Sequence, residues 1–317
     1  MDKRLAQRLG VGIGIAAVVY LAMVAFADWH ELRAAVARFR WPLALPILGL
    51  SLLNYFVRFL RWEIYLRRTG VRISAWLSLR IFFSGLVMSI TPGKVGELLK
   101  AYLVKMHSGV PVSRTGPIVV AERVTDLLAL FCLIFAGSLI YRTGYLALVA
   151  SGAVTAFLFV GLASPRAALL VLGIVERLPF LKHYGERVER AYESMRFLLR
   201  PGVLSLATTL GVLAWFAECA GFAFVLRGFA IDLSMAFATF VYASSTLVGA
   251  LVLLPGGLGG TEGSMVAMLL AAGVAKEIAI AATFLVRIAT LWFAVLLGAF
   301  VLLFNPRLAV RTDSIDA

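Results

Sequence analysis

Charged residues are scarce in this chain: they make up 15% of its 317 residues, while apolar residues make up 62%. A soluble domain carries about 25% charged residues. Together with a mean hydropathy of +0.95, the shortage excludes an ordinary water-soluble domain and leaves a polytopic helical membrane protein. A β-barrel is excluded as well, because the apolar runs are continuous and do not alternate. Cysteine is nearly absent. Cys132 and Cys219 both fall within apolar spans and read as small core residues, not as a disulfide or metal pair. The three histidines, His30, His107 and His183, lie in different loops, so no metal constellation is expected.

Nucleotide and nucleophile chemistry is missing too. The run Gly10-Val11-Gly12-Ile13-Gly14 has no strand before it, which removes the dinucleotide fingerprint. A glycine-rich stretch near residue 256 has no Gly-Lys-Ser/Thr and is no phosphate-binding loop of the Walker type. No nucleophile–base triad is visible, nor a soluble domain to house one. The chain is expected to be no enzyme, to need no cofactor and to bind no nucleic acid. Acidic residues, 17 against 30 basic ones, leave a net charge of +13. The excess marks cytoplasmic loops, and attraction to anionic lipid headgroups is the sharper reading of the same charge.

What the chain does have is a repeated interruption. Ile90-Thr91-Pro92-Gly93-Lys94-Val95-Gly96-Glu97 breaks one apolar segment, and Leu254-Pro255-Gly256-Gly257-Leu258-Gly259-Gly260-Thr261-Glu262 breaks another. A long apolar span with one central arginine, Arg123 or Arg287, follows each break. Glu97 precedes Arg123 by 26 residues and Glu262 precedes Arg287 by 25. Paired Gly/Pro-interrupted segments in corresponding halves point to a transporter-type site at mid-membrane.

Residues 9–27 form an apolar run after Lys3, Arg4 and Arg8. It ends in Ala25-Phe26-Ala27, which mimics a signal-peptidase site. Its length favours a retained first helix over a cleaved signal. Further spans are predicted at 43–60, 115–141, 144–163, 203–226 and 277–304, with broken segments over 75–106 and 235–272. The first limb of the second broken segment, 235–254, is itself long enough to cross. With the N-terminus in the cytoplasm and each broken segment returning to its own side, twenty Lys/Arg fall inside and six outside. Arg80, Lys94, Arg123 and Arg287 are left in the membrane. That asymmetry obeys the positive-inside rule. It makes the spans after the two breaks antiparallel. The predicted architecture is an all-α polytopic membrane protein of about six full transmembrane helices plus two re-entrant broken helical hairpins in an inverted repeat. One integral membrane domain covers 1–317, with repeat halves at about 75–141 and 235–304 and both termini cytoplasmic. A cytoplasmic loop over 164–202 contains an amphipathic stretch, 186–200, which either lies on the leaflet or packs on the bundle. A short amphipathic stretch over 29–40 sits on the outer side.

A helix broken at mid-membrane leaves backbone N–H and C=O groups that hydrocarbon cannot satisfy, so the break must be buried or line water. Where the helix restarts, its N–H groups and dipole favour an anion. Gly93, Gly96, Gly256, Gly257, Gly259 and Gly260 let a ligand approach the backbone. Arg123 lies about 12 Å, and Arg287 about 15 Å, from the nearer end of its span. Guanidinium suits phosphate through paired hydrogen bonds. The candidate substrate-binding side chains are Lys94, Glu97, Arg123, Asp126, Glu262 and Arg287. Two roles stay open for the glutamates: buried partners of Arg123 and Arg287, or helix-start residues favoured by the dipole. Glu122 and Glu218 are further carboxylates in apolar spans, and Asn54 is expected to make an interhelical hydrogen bond.

Pro92-Gly93-Lys94-Val95-Gly96-Glu97, Glu122-Arg123-Val124-Thr125-Asp126 and the second break, in this order, resemble the flippase-like integral membrane family. It is similar to the N-terminal membrane domain of lysylphosphatidylglycerol synthase, the multiple peptide resistance factor. The resemblance implies movement of an anionic phospholipid or polyprenyl-linked glycolipid between leaflets, its headgroup held where the two hairpins meet. Anionic membrane lipids are the implied partners, with lipid-biosynthetic or glycosyltransferase proteins beside them. Thirteen residues follow the last span, so the aminoacyl-transfer activity of the synthases is not expected. The alternatives are a secondary transporter or channel for a small anion, and a non-catalytic membrane partner of a lipid-modifying enzyme.

Overall fold

The computed structural model describes residues 29–91, 96–141, 197–252 and 254–305, with positions 14, 17–23, 25, 149, 152, 153 and 308. Gly93 and Lys94, most of the 9–27 and 144–163 spans, and the 164–196 part of the predicted loop lie outside the described residues. Every regular element among the described residues is helical. The chain order is α1 (Trp29–Ala37), α2 (Ala44–Arg68), α3 (Ala75–Gly85), α4 (Leu98–Ser108), α5 (Val112–Tyr141), α6 (Pro201–Gly228), α7 (Met235–Val252), α8 (Gly260–Ala271), α9 (Lys276–Arg287) and α10 (Phe293–Phe304). A π-helical turn, Ile288–Trp292, joins α9 to α10.

Local chemistry sets several boundaries. Ser74 caps α3, its Oγ accepting from the Leu77 N–H at 3.3 Å. Pro201 occupies the first turn of α6, where its missing N–H costs nothing. Gly109, at φ 70°, closes α4 and donates its N–H to the Lys105 carbonyl. Four stretches among the described residues are long and apolar enough to cross a membrane: Trp41–Arg68, Pro201–Gly228, Met235–Val252 and Lys276–Phe304. Helix α5 adds 30 residues, about 45 Å at the α-helical rise. The first limb of the second broken segment, α7, is thus a helix of crossing length, whereas α3 has 11 residues before its chain tightens into a 3₁₀ turn, Leu86–Ile90.

The bundle holds two large apolar cores, one toward each end of the long helices. The first gathers Tyr55–Leu66 of α2, Ile81 and Phe82 of α3, Leu103 and Val104 of α4, Ile118 and Ala121 of α5, Val203 and Ala207 of α6, and Ala294 of α10. The second gathers Ile47, Ala129–Ile134, Trp215–Phe229, Phe237–Ala243, Met265–Leu269 and Ala279–Ala289. Helix α2 and the α9–α10 pair therefore run from the second core to the first, and α5 and α6 run the opposite way. The first broken segment packs in the first core and the second broken segment in the second. Their tips touch: the Leu86–Ile90 turn packs against the Pro255–Gly257 turn, and Ile90, Leu258 and Leu291 form a small apolar cluster there.

Close backbone approach fixes the first tip against α10. A Cβ on Gly298 would stand 2.4 Å from the Val87 nitrogen and 3.0 Å from the Phe83 oxygen. Both are backbone atoms and cannot rotate away. Gly298→Ala is therefore expected to cost about 1–3 kcal/mol, as overpacking does, read as a lowered melting midpoint in detergent. An unchanged midpoint would mean that α10 and this turn are not in contact.

The charge count needs one correction. Arg58, Arg61 and Lys100, placed by the sequence among the twenty cytoplasmic cations, are buried inside the bundle. Helix α2 continues to Arg68, eight residues past the end of the predicted 43–60 span, and α3 and α6 cover its later turns. Removing these three from twenty leaves seventeen against six.

Candidate functional site

The polar residues of α2 explain why its later turns are buried. Ser51, Asn54, Tyr55, Arg58 and Arg61 recur at three- and four-residue spacing, which places them on one helix face. All five are buried. Asn54 donates its amide to the Ala214 carbonyl at 2.8 Å, joining α2 to α6. Tyr55 donates to the Thr290 carbonyl, inside the π-helical turn, at 2.5 Å. A π turn leaves its carbonyls out of register with the helix on either side, and such turns recur at functional sites.

Next to this stripe lies a charge cluster drawn from three elements. Asp126 accepts from Arg61 at 2.7 Å and from the Trp215 indole N–H at 3.1 Å, both at Oδ1. Its other oxygen is 3.2 Å from Arg123. Arg123 also donates to Glu97 at 3.2 Å. Glu97 is 3.5 Å from Lys100, whose ammonium donates to Glu122 at 2.6 Å. Lys100 further stands 4.7 Å from the Trp62 ring centroid and 5.2 Å from that of Phe82. Gly85 makes room for its stem, since a Cβ there would meet Lys100 Cγ at 2.4 Å. Three cations thus face three carboxylates. The balance matters, because a buried charge left without its partner costs about 3–5 kcal/mol.

The second break carries a simpler version. Arg287 donates through Nε to Glu262 at 2.6 Å and through Nη2 to the Gly256 carbonyl at 2.7 Å. Glu262 also accepts the Gly259 N–H at 2.7 Å. One carboxylate therefore holds the arginine and caps α8, combining the two roles that the sequence left open. Gly256, at φ 63°, adopts the left-handed conformation that turns its carbonyl toward Arg287 without strain.

A cavity of about 470 Å³ opens between these groups. Arg123, Asp126, Arg287, Gly256 and Gly257 line it, so the two arginines from different halves face one space. Trp215, Glu218, Tyr242 and Thr246 form its α6–α7 wall. Tyr242 donates to Glu218 at 2.7 Å. Two leucines among the lining residues, Leu251 and Leu254, are 71% and 40% exposed on the bundle surface.

Against known protein families, residues 9–298 match the model of the lysylphosphatidylglycerol synthase TM region. The chain belongs to that family. Among curated proteins it is similar to a UPF0104 membrane protein of Methanothermobacter thermautotrophicus, 29% identical over 75% of this chain and 78% of that protein. It is also similar to UPF0104 membrane proteins of Pyrococcus horikoshii, 24% identical over 80% of this chain and 84% of that one, and of Methanocaldococcus jannaschii, 26% identical over 67% and 91%. It is a multi-pass membrane protein with prokaryotic relatives.

In this family member, the motif residues divide between cavity and scaffold. Glu97, Gly96, Glu262, Gly259 and Gly260 do not line the cavity among the described residues. Gly96 donates its N–H to Thr91 Oγ1 at 3.0 Å, and the Gly259 N–H is taken by Glu262. Arg58, Arg61, Lys100, Trp215 and Tyr242 escaped the sequence reading. The polar stripe of α2 was the available signal for Arg58 and Arg61. Lys100 had none, because the space beside Gly85 exists only after α3 and α4 have packed.

Proposed function

We propose that this protein moves an anionic phospholipid or polyprenyl-linked glycolipid between leaflets, as a transporter and not as an enzyme. The observation that carries the reading is a cavity with a cationic wall and exposed leucines among its lining residues. Arg123 and Arg287 face the space, which suits a phosphate-bearing headgroup. Leu251 and Leu254 suit acyl chains that stay in the bilayer. The opposed directions of α5 and α9–α10, with one broken segment in each core, support an inverted repeat of the kind that gives alternating access. The seventeen-to-six distribution of Lys/Arg supports cytoplasmic termini. Lipid-biosynthetic or glycosyltransferase proteins are the partners such a step would serve.

Reconstitution tests the proposal. Proteoliposomes holding the protein are expected to exchange a fluorescent anionic phospholipid between leaflets faster than empty vesicles. Thr246→Trp, which fills the cavity from α7, is expected to remove that excess while the protein still purifies as a folded species. Wild-type rates equal to those of empty vesicles, for phospholipid and polyprenyl-phosphate probes alike, would end the transport reading.

A further inference from the structure

One of the three arginines lining the cavity differs from the other two. Arg123 and Arg287 each hold a carboxylate within 4.0 Å. Arg58 lines the same cavity and is 7% exposed. Among the described residues it has no carboxylate within ion-pair distance, and its Nε has no hydrogen-bond partner. Its guanidinium lies 6.0 Å from the centroid of the Trp215 ring. Glu218, the α6 carboxylate on the cavity wall, accepts the Tyr242 hydroxyl at 2.7 Å.

The surroundings hold Arg58 in place without an ion pair at contact distance. Asn54, one turn earlier, ties α2 to the Ala214 carbonyl. The next residue is Trp215, whose indole N–H is fixed on Asp126. These two bonds set the register of Arg58 against the Trp215 ring, and a cation over an indole face keeps its N–H edge available for a second partner. A buried guanidinium with an unused Nε–H and no carboxylate at contact distance is an incomplete site for an anion. Arg123 and Arg287 must first loosen from Glu97, Asp126 or Glu262 before they can bind one fully. Arg58 requires no such exchange.

We propose that Arg58, held over Trp215, is the primary docking residue for the phosphate ester of the transported molecule. Arg123 and Arg287 then engage second, as their ion pairs exchange. This inference rests on the lipid-transport reading for the source of the phosphate, a headgroup in place of a free ion, but not for the phosphate chemistry itself.

Binding to the purified full-length protein separates the two. The probes are phosphatidylglycerol, diacylglycerol with the same chains, and glycerol 3-phosphate. The wild type is expected to prefer phosphatidylglycerol over both. Arg58→Ala is expected to weaken phosphatidylglycerol binding about 10- to 100-fold, the range of one charge-assisted hydrogen-bonded contact. Its melting midpoint should stay at or above that of the wild type, because no ion pair is broken, and a residue serving only structure would lower it. Should Arg58→Ala fail to fold, Arg58→Lys is read in its place. It keeps the charge, loses the paired donors, and is expected to bind severalfold more weakly. Wild-type affinity in the variant, with the wild type still preferring phosphatidylglycerol over diacylglycerol, overturns the role of Arg58 and leaves the lipid reading standing. Equal, Arg58-dependent affinity for glycerol 3-phosphate and phosphatidylglycerol upholds the phosphate site and overturns the lipid source. Binding of no probe by the wild type overturns both.

Discussion

Asp126→Asn is expected to lower stability by about 3–5 kcal/mol, the cost of leaving a buried charge without its partner. The carboxylate meets Arg61 at 2.7 Å and Arg123 at 3.2 Å, and it accepts the Trp215 N–H. An amide of the same shape keeps one acceptor and turns an NH₂ group toward a guanidinium. The cluster of three cations and three carboxylates then carries an excess positive charge. Thermal unfolding in detergent, followed by loss of the monodisperse peak, measures the effect. The double variant Arg61→Met with Asp126→Leu removes one charge of each sign and leaves Lys100 and Arg123 with Glu97 and Glu122. It is expected to recover most of the loss, since apolar replacement of a whole buried pair is often neutral or better. The unpaired Trp215 N–H should keep recovery incomplete. A single variant that melts with the wild type would show that Asp126 does not hold the cluster together.

The second large effect concerns the Arg287–Glu262 pair. Arg287→Ala is expected to cost a similar amount, about 3–5 kcal/mol, because Glu262 and the Gly256 carbonyl both lose a donor. The informative variant is the exchange, Arg287→Glu with Glu262→Arg. It preserves both charges, and an isolated ion pair would tolerate it. Here it is expected to remain as unstable as Arg287→Ala. An arginine at 262 cannot accept the Gly259 N–H, which Glu262 takes at 2.7 Å. It also places positive charge at the N-terminal, positive end of α8. A carboxylate at 287 would face the Gly256 carbonyl, oxygen against oxygen. Wild-type melting of the exchanged protein would show that charge complementarity alone fixes the second break.

The parts legible in the sequence were those governed by local pattern. Apolar runs over 203–226 and 277–304 became helices Pro201–Gly228 and Lys276–Phe304, the latter with a π turn after Arg287. A long apolar helix satisfies its own backbone, so its extent follows from composition alone. The pairs Glu97–Arg123 and Glu262–Arg287 were also within reach, because a repeated spacing places the same two residues on the same two elements in both halves.

The charges at the end of the predicted second span show where pattern fails. Arg58 and Arg61 follow an apolar run as snorkelling residues at a cytoplasmic edge would. The polar stripe Ser51, Asn54 and Tyr55 on the same face hints at burial but names no partner. Arg61 is buried because Asp126 awaits it 65 residues later, and Lys100 because Glu122 does and Gly85 leaves space.

The sequence by itself determined that this is a helical membrane protein with two related breaks, each followed by a glutamate and then an arginine. Only the tertiary structure decided which charges cancel. An ion pair depends on a distance of a few ångströms between elements far apart in the chain, and helix packing sets that distance. Packing brought Arg123 and Arg287 to one cavity already held by carboxylates. It also left Arg58 beside Trp215 without one.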